Sequence, residues 1–507
     1  MSRFSQFLST ARPLRVLKAG LYSLLAAFAV WAQAAVPPSE RAFLLEIYTG
    51  MYPQYWFNTN GWNGPAGTEC SWYGVRCDAA GEHVVGIEMV DNNMYGPLPA
   101  SLPAQTQLKV FNLRANYFTG TIPSLSALTE LEVFEVSQLG IQPSPGLSGP
   151  LPSLTGLSRL WRFNVGVNSL SGPLPDFSDP NGATAMREFI AAANYLSGSI
   201  PHFDAVPNLQ RFYVNRNRLV GTLPPLQGMT NLEVFVVSEN ALTGPLPAID
   251  GMQRLKWFYT FDNQFDRIMP SLNDLPALEE LNVARNRLEG QIPALSGAPQ
   301  LTQIYLYENR LTGPLPSIAA NTVLGELNAT DNQLTGELPA LQGNAQLEYF
   351  HVSRNRLSGS IPPIAGMPML AGFGVAGNRL TGQIPALDDL PWLFDLDVSG
   401  NRLTGTIPPL RNAPRLGWLN VRDNRLTGVL PPVGAMHMLV SLDVGNNLLS
   451  GNLPSIVPMS LMAGDSTLCP NFFVPADSTA WNDATGVNPW HRDCAGYQDV
   501  LYADGFD

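Results

Sequence analysis

Leu416-Gly-Trp-Leu-Asn-Val-Arg-Asp-Asn424-Arg-Leu-Thr-Gly-Val-Leu-Pro431 is one turn of a pattern, L-x-x-L-x-L-x-x-N-x-L-x-G-x-I/L-P, that recurs along most of the chain. Aligned on its asparagine, the pattern falls at Asn92, Asn116, Leu139 (in place of Asn), Asn168, Asn194, Asn217, Asn240, Asn263, Asn286, Asn309, Asn332, Asn355, Asn378, Asn401, Asn424 and Asn447. From Asn194 onward every step is 23 residues. Leu416, Leu419 and Val421 alternate as a short strand with one buried face requires. The asparagine carries both donor and acceptor, so it can satisfy backbone groups where the chain turns inward. Stacked coils would align these amides into a buried ladder, in which an unpaired member costs about 1–3 kcal/mol. Leu426 and Leu430 fill the coil interior, Gly428 permits a positive φ, and Pro431 suppresses regular helix. No unit contains a stretch of period 3.6, which predicts an extended or 3-10 outer face.

Sixteen such units stack into a leucine-rich-repeat solenoid, α/β by convention but mostly β. With about 4.8 Å between strands, the parallel sheet is on the order of 75 Å long. One coil cannot bury its own apolar face, so both ends need caps. The predicted organisation is an export signal over residues 1–34, an N-terminal cap over 35–83, repeats over 84–454 and a C-terminal cap over 455–507. One of each per coil accounts for about a third of the 45 glycines and 44 prolines of the 507 residues.

Arg3, Arg12, Arg15 and Lys18 precede or enter the apolar run Ala19 to Trp31, and Ala32-Gln33-Ala34 offers a small-x-small cleavage site. That run is too short to span a bilayer comfortably, so the mature chain is expected to be secreted or on the extracellular surface, without a membrane span. Cleavage leaves 25 basic against 41 acidic groups, a net −16. Such a surface argues against nucleic acid or anionic lipid as the main partner. In an exported chain Cys70/Cys77 and Cys469/Cys494 are most simply two disulfides. A zinc site is the alternative, but neither pair has C-x2-C spacing.

The L-x-G-x-I-P element resembles the plant-specific class of leucine-rich repeat found in polygalacturonase-inhibiting proteins and plant receptor-kinase ectodomains. Arg41-Ala-Phe-Leu-Leu, Trp62 and Cys70-Ser-Trp72-Tyr-Gly74-Val-Arg-Cys77 resemble the N-terminal cap of that class. The likeness covers roughly residues 38–454, with a period one residue shorter than is usual for the class. The signal, the preference for Arg over Lys and the tail Tyr502-Ala-Asp-Gly-Phe-Asp507 look like an exported bacterial protein.

Hydrolase, nucleotide-binding and metalloprotease motifs are absent, and His83, His202, His351, His437 and His491 are scattered. The chain is therefore expected to be no enzyme and to need no cofactor or metal. Binding positions are those expected to point outward from the strands. They form a predicted aromatic field of Tyr213, Trp257, Tyr259, Phe261, Tyr305, Tyr307, Tyr349 and His351, with Trp418 further along. Tyr, Trp and Arg are enriched at binding hot spots. Arg162, Arg211 and Arg216 flank the field on one side, and Glu326, Asp331, Asp395, Asp397, Asp423 and Asp443 on the other. A second row, Arg218, Arg287, Arg310, Arg356, Arg379, Arg402 and Arg425, follows the ladder asparagines, with Glu308 and Asp423 as expected partners. Three units are irregular: Leu139 with the insertion Gly140 to Pro145, the longer step around Asp179-Pro180-Asn181-Gly182, and Arg267 in place of the template glycine. The expected function is a secreted recognition scaffold for an extracellular protein, peptide or glycan. Alternatives are an inhibitor of a secreted polysaccharide hydrolase, as the resemblance implies, and a surface adhesin or structural module.

Overall fold

A coil that cannot hide its leucines alone hides them by stacking. The computed structural model describes residues 36–139 and 146–494; the expected signal segment, the Gly140–Pro145 insertion and the Tyr502–Asp507 tail lie outside them. Strands from Val84–Glu88 to Ser441–Asp443 form one parallel sheet, joined at its start by the antiparallel strand Val75–Cys77 to make 17 strands. Pairing is in register from coil to coil, so Phe235 faces Phe258 and Phe258 faces Leu281.

The residues after each ladder asparagine pair as well. They build a second, narrower ribbon along the flank: six parallel strands from Ser148–Pro150 to Gln264–Phe265, with shorter continuations further on. The expected extended backbone is present; its pairing was not foreseen. The template glycine makes it possible by turning the chain at positive φ, as Gly428 does at 82°. Arg267, which replaces that glycine in one coil, is forced to φ 71°, a strained region for a side chain with Cβ. The two α-helices among the described residues, Pro38–Gly50 and Thr479–Thr485, lie outside the repeats.

The core is one continuous column of apolar side chains. At the fourth template position seven consecutive coils carry phenylalanine, Phe111, Phe134, Phe163, Phe189, Phe212, Phe235 and Phe258, stacked at 5.5–5.7 Å between centroids. Each stacked pair adds about 0.5–1.5 kcal/mol beyond its buried area.

Beside this column runs the amide ladder. Asn332 Nδ2 donates to the carbonyls of Leu306, Ala329 and Thr330 at 3.0–3.2 Å, and its Oδ1 accepts from the Leu311 N–H at 2.9 Å. Asn217, Asn240, Asn263, Asn286, Asn309, Asn355, Asn378, Asn401 and Asn424 repeat the arrangement. Where Leu139 breaks the series, the neighbouring Gln138 bonds to different partners: its Nε2 donates to the Phe118 carbonyl at 2.8 Å and to Asn168 Oδ1 at 3.1 Å. The ladder also continues beyond the last template match, with Asn471 donating to Val444 and Leu468 and accepting from Leu449.

Both ends are closed. Helix Pro38–Gly50 lays Phe43, Leu44 and Ile47 on the first coil, and Trp56, Trp62 and Trp72 pack edge-on or tilted beside them. Arg41 pairs with the buried Glu69, and Cys70 is bonded to Cys77. At the far end Cys469 is bonded to Cys494. Trp481 and Trp490 are buried there, their indole N–H groups donating to the carbonyls of Pro454 and Ala476.

Replacing Asn332 by Ala leaves several inner carbonyls and one N–H without partners. Urea unfolding of the variant should show a loss on the order of 3 kcal/mol. A second test concerns the N-terminal cap. Glu40 accepts from the Val84 N–H at 2.6 Å and holds His83 Nδ1 at 2.8 Å, and this hydrogen bond raises the His83 pKa above its ordinary value. A raised folded-state value stabilises fully below the unfolded pKa and fades as pH rises through the folded one. The urea midpoints of wild type and His83→Gln should therefore differ most below the ordinary histidine value of about 6.5 and converge as pH rises through the raised folded-state value.

Candidate functional site

Alternation along each inner strand decides what the concave face presents. In Trp257–Tyr259 the middle residue, Phe258, is fully buried, while Trp257 and Tyr259 stay half-exposed on the sheet. Tyr213, Tyr305, Tyr349, His351 and Trp418 occupy equivalent strand positions; Phe261 and Tyr307 sit just past the strand ends. Tyr349 and Trp418 are the most open, at 41 % and 43 %.

The predicted field is not one continuous aromatic surface. Parallel register places Glu280 and Asn282 beside Trp257 and Tyr259, and Asn328 beside Tyr305. The rings form separate islands, Trp257–Tyr259–Phe261, Tyr305–Tyr307 and Tyr349–His351, each with centroid spacings of 6.1–6.5 Å. Carboxylates stitch them together. The Tyr259 hydroxyl donates to Glu280, and that of Tyr305 donates to Glu326 at 2.7 Å. Burial first and these carboxylates second push both phenols above their ordinary pKa. The enclosed Trp257 Nε1 has no hydrogen-bond partner among the described residues.

Positive charge at the N-terminal end of the field is compensated. Arg162 contacts Glu135 at 2.6 Å and Glu188 at 2.9 Å, and Arg211 contacts Glu188 at 2.5 Å and Glu233 at 3.5 Å. Arg211 was expected to offer its charge to a partner; the structure places it in this chain of ion pairs. Along the rim, the residue before each ladder asparagine adopts a left-handed conformation, from Arg216 at φ 56° to Arg354 at 53°. These residues link as Arg216–Glu239 at 2.9 Å, Asp262–Arg285 at 3.5 Å, Arg285–Glu308 at 3.4 Å and Asp331–Arg354 at 2.5 Å.

The C-terminal end differs. Gly372 and Gly374 leave the next strand bare, and a Cβ on Gly372 would stand 2.7 Å from the Tyr349 ring and 3.0 Å from His351 Nε2. The resulting trough runs past Tyr307, His351 and Arg354 to Asp395 and Asp397, a volume of about 350 Å³. It continues over Trp418, Asp443 and Asp465 as a further cavity of about 490 Å³. Trp418 stands edge-on to Phe394 at 4.5 Å. Burial, reinforced by Asp397, holds the Asp395 carboxyl above the usual carboxylate range, and burial does the same for Asp443.

The second arginine row lies on the flank ribbon, where its members are exposed. Its expected partners are engaged elsewhere: Glu308 holds Arg285, and Asp423 contacts Arg422 at 3.3 Å and Asn446 at 2.6 Å. Arg310 pairs with Glu289 at 3.5 Å, and Arg218 lies over the Tyr195 ring at 4.5 Å. Among the described residues no cluster of His, Cys, Asp and Glu is placed to hold a metal ion, and no helix is long and apolar enough to cross a membrane.

Residues 37–78, the helix and the disulfide-bonded segment after it, match the leucine rich repeat N-terminal domain. The solenoid is similar to the crystal structure of PEPR1–AtPEP1, at 27 % identity and TM-score 0.70 over 89 % of this chain and 71 % of that one. The chain folds as a leucine-rich-repeat solenoid. It is also similar to the plant peptide hormone receptor RGFR1 in complex with RGF2, at 26 % identity and TM-score 0.64, covering 79 % and 77 %. Among curated proteins, the receptor-like kinase TMK2 of Arabidopsis thaliana is 31 % identical over 135 residues, 26 % of this chain and 14 % of that protein. Receptor-like protein 3 of Arabidopsis thaliana is 29 % identical over 161 residues, 24 % and 21 % of the two chains. This chain thus spans well under two thirds of these curated relatives.

Proposed function

We propose that the concave sheet is an extracellular recognition surface for a peptide or an extended protein segment, and that the chain acts by binding. The observation that carries this reading is the line of half-exposed rings from Trp257 to Trp418, continuous with the trough beyond Gly372. Half-open Trp and Tyr supply large, rigid contact area, and a solenoid locked by its amide ladder loses little ordering entropy on binding. The peptide-bound PEPR1 and RGFR1 structures support a ligand of this kind. The chain would enter against the aromatic islands and place a basic residue over Asp395, Asp397 and Asp443. Export and the absence of catalysis belong to the same proposal.

Affinity capture from conditioned medium, with mass spectrometry of what is retained, identifies the ligand. The double variant Trp257→Ala/Tyr259→Ala should melt as wild type does yet lose at least tenfold in affinity, about 1.4 kcal/mol. Undiminished affinity would overturn the concave site, and capture of a polysaccharide hydrolase would move the reading to inhibition. Acidification gives an independent check. Asp395 and Asp443 take up protons at higher pH than ordinary carboxyls, so affinity for a basic segment should fall with pH before ordinary aspartates titrate. The variant Asp395→Asn/Asp443→Asn should flatten that dependence in calorimetric titrations.

A further inference from the structure

The flank ribbon carries a charge pattern that the concave site does not use. Arg356, Arg379 and Arg402 occupy the same position in three successive coils, and Arg425 continues the row in the next. All four are exposed, and among the described residues no carboxylate pairs with Arg356, Arg379 or Arg402. Their backbones are pinned: the N–H groups of the four donate at 2.8 Å to the carbonyls of Leu334, Leu357, Leu380 and Leu403 in the preceding coils. The backbone positions from which the guanidinium groups extend therefore repeat at the coil spacing of about 4.8 Å. In two of these coils the charged rim residue is absent. Gly377 and Gly400 stand where other coils have Glu308 or Asp331, so no carboxylate sits two residues before Arg379 or Arg402. A parallel row of hydroxyls, Ser358, Thr381, Thr404 and Thr427, lies two residues further on. Each donates to the carbonyl of a glycine in the preceding coil at 3.2–3.4 Å, and a hydroxyl oxygen that donates can still accept.

We propose that this flank binds a linear polyuronate, with successive carboxylates on Arg356, Arg379 and Arg402 and ring hydroxyls donating to the Ser/Thr row. A uronate polymer presents one planar carboxylate per ring, and an extended pyranose chain advances per ring by nearly the length of one coil. Guanidinium matches a carboxylate as a bidentate fork. A nucleic acid fits less well, because neighbouring phosphates along an extended strand stand further apart than neighbouring coils.

The test uses the full chain and an end-labelled oligomannuronate, read by fluorescence anisotropy in dilute buffer. Saturable binding is expected, weakening as salt rises because each arginine engaged displaces counterions from the ligand. Arg356→Ser/Arg379→Ser/Arg402→Ser should lower affinity at least tenfold with an unchanged melting temperature, and the corresponding triple Lys variant should fall between the two. No binding by wild type, equal binding by the Ser variant, or a Lys variant no better than the Ser one would overturn the proposal. So would equal affinity for an oligothymidylate of the same charge, which would mark the row as a general polyanion surface.

Discussion

Every coil turns its backbone inward behind the strand, and the carbonyls at that turn have no strand partner. Satisfying them is the constraint on which the solenoid depends. One amide per coil meets it by spanning two coils at once: Asn378 donates to Val352 of the coil before and to Val375 and Ala376 of its own. The same contact fixes the offset between coils, because a slipped coil would leave these carbonyls bare inside the core. It is also what the residue before the asparagine yields to. Even Val167, whose branched Cβ makes the left-handed region costly, adopts φ 57° there.

A fixed offset separates what the two faces of the sheet can do. Inward positions are held to a column in which Phe235 stacks on Phe212 and Phe258, so substitutions there disturb packing along several coils. Outward positions carry no such obligation. They can hold Trp257 in one coil, Glu280 in the next and a bare Gly372 further on without moving the backbone that supports them. The flank ribbon has a similar freedom at its arginine and hydroxyl positions, which makes the solenoid a carrier of several independently varied surfaces.

The repeat, the concave alternation and the two cysteine pairs were legible because each is a local pattern or a fixed period. What escaped was mostly substitution within the pattern and pairing across coils. Gln138, one position before the missing asparagine, ties its coil to the preceding one because its longer side chain reaches the Phe118 carbonyl. Asn471 lies beyond the recognisable template, with Leu468 alone of the usual leucines before it. The ion pairs were within reach: Glu188, Arg211 and the rim pair Asp331–Arg354 are each one period apart, so stepping by 23 residues would have coupled them. The gap between Tyr259 and Tyr305 was visible by the same step, since Asn282 lies midway.

Register also gives the concave face its direction. Acidic and basic side chains alternate between coils where Arg162, Glu188, Arg211 and Glu233 meet, and each charge finds its opposite one coil away. Around Asp395 and Asp397 the preceding coil offers only Gly372 and Gly374 and the following one Trp418 and Asn420, so no basic side chain of these neighbouring strands compensates them. Attraction between charges a few ångströms apart grows as water is excluded, and a ligand that covers the trough excludes it. On the proposed reading, the acidic C-terminal coils would select for charge, while the aromatic islands before them contribute chiefly area, with Glu280 and Glu326 adding carboxylates of their own. A scaffold of identical coils becomes polar along its axis through a handful of outward positions alone.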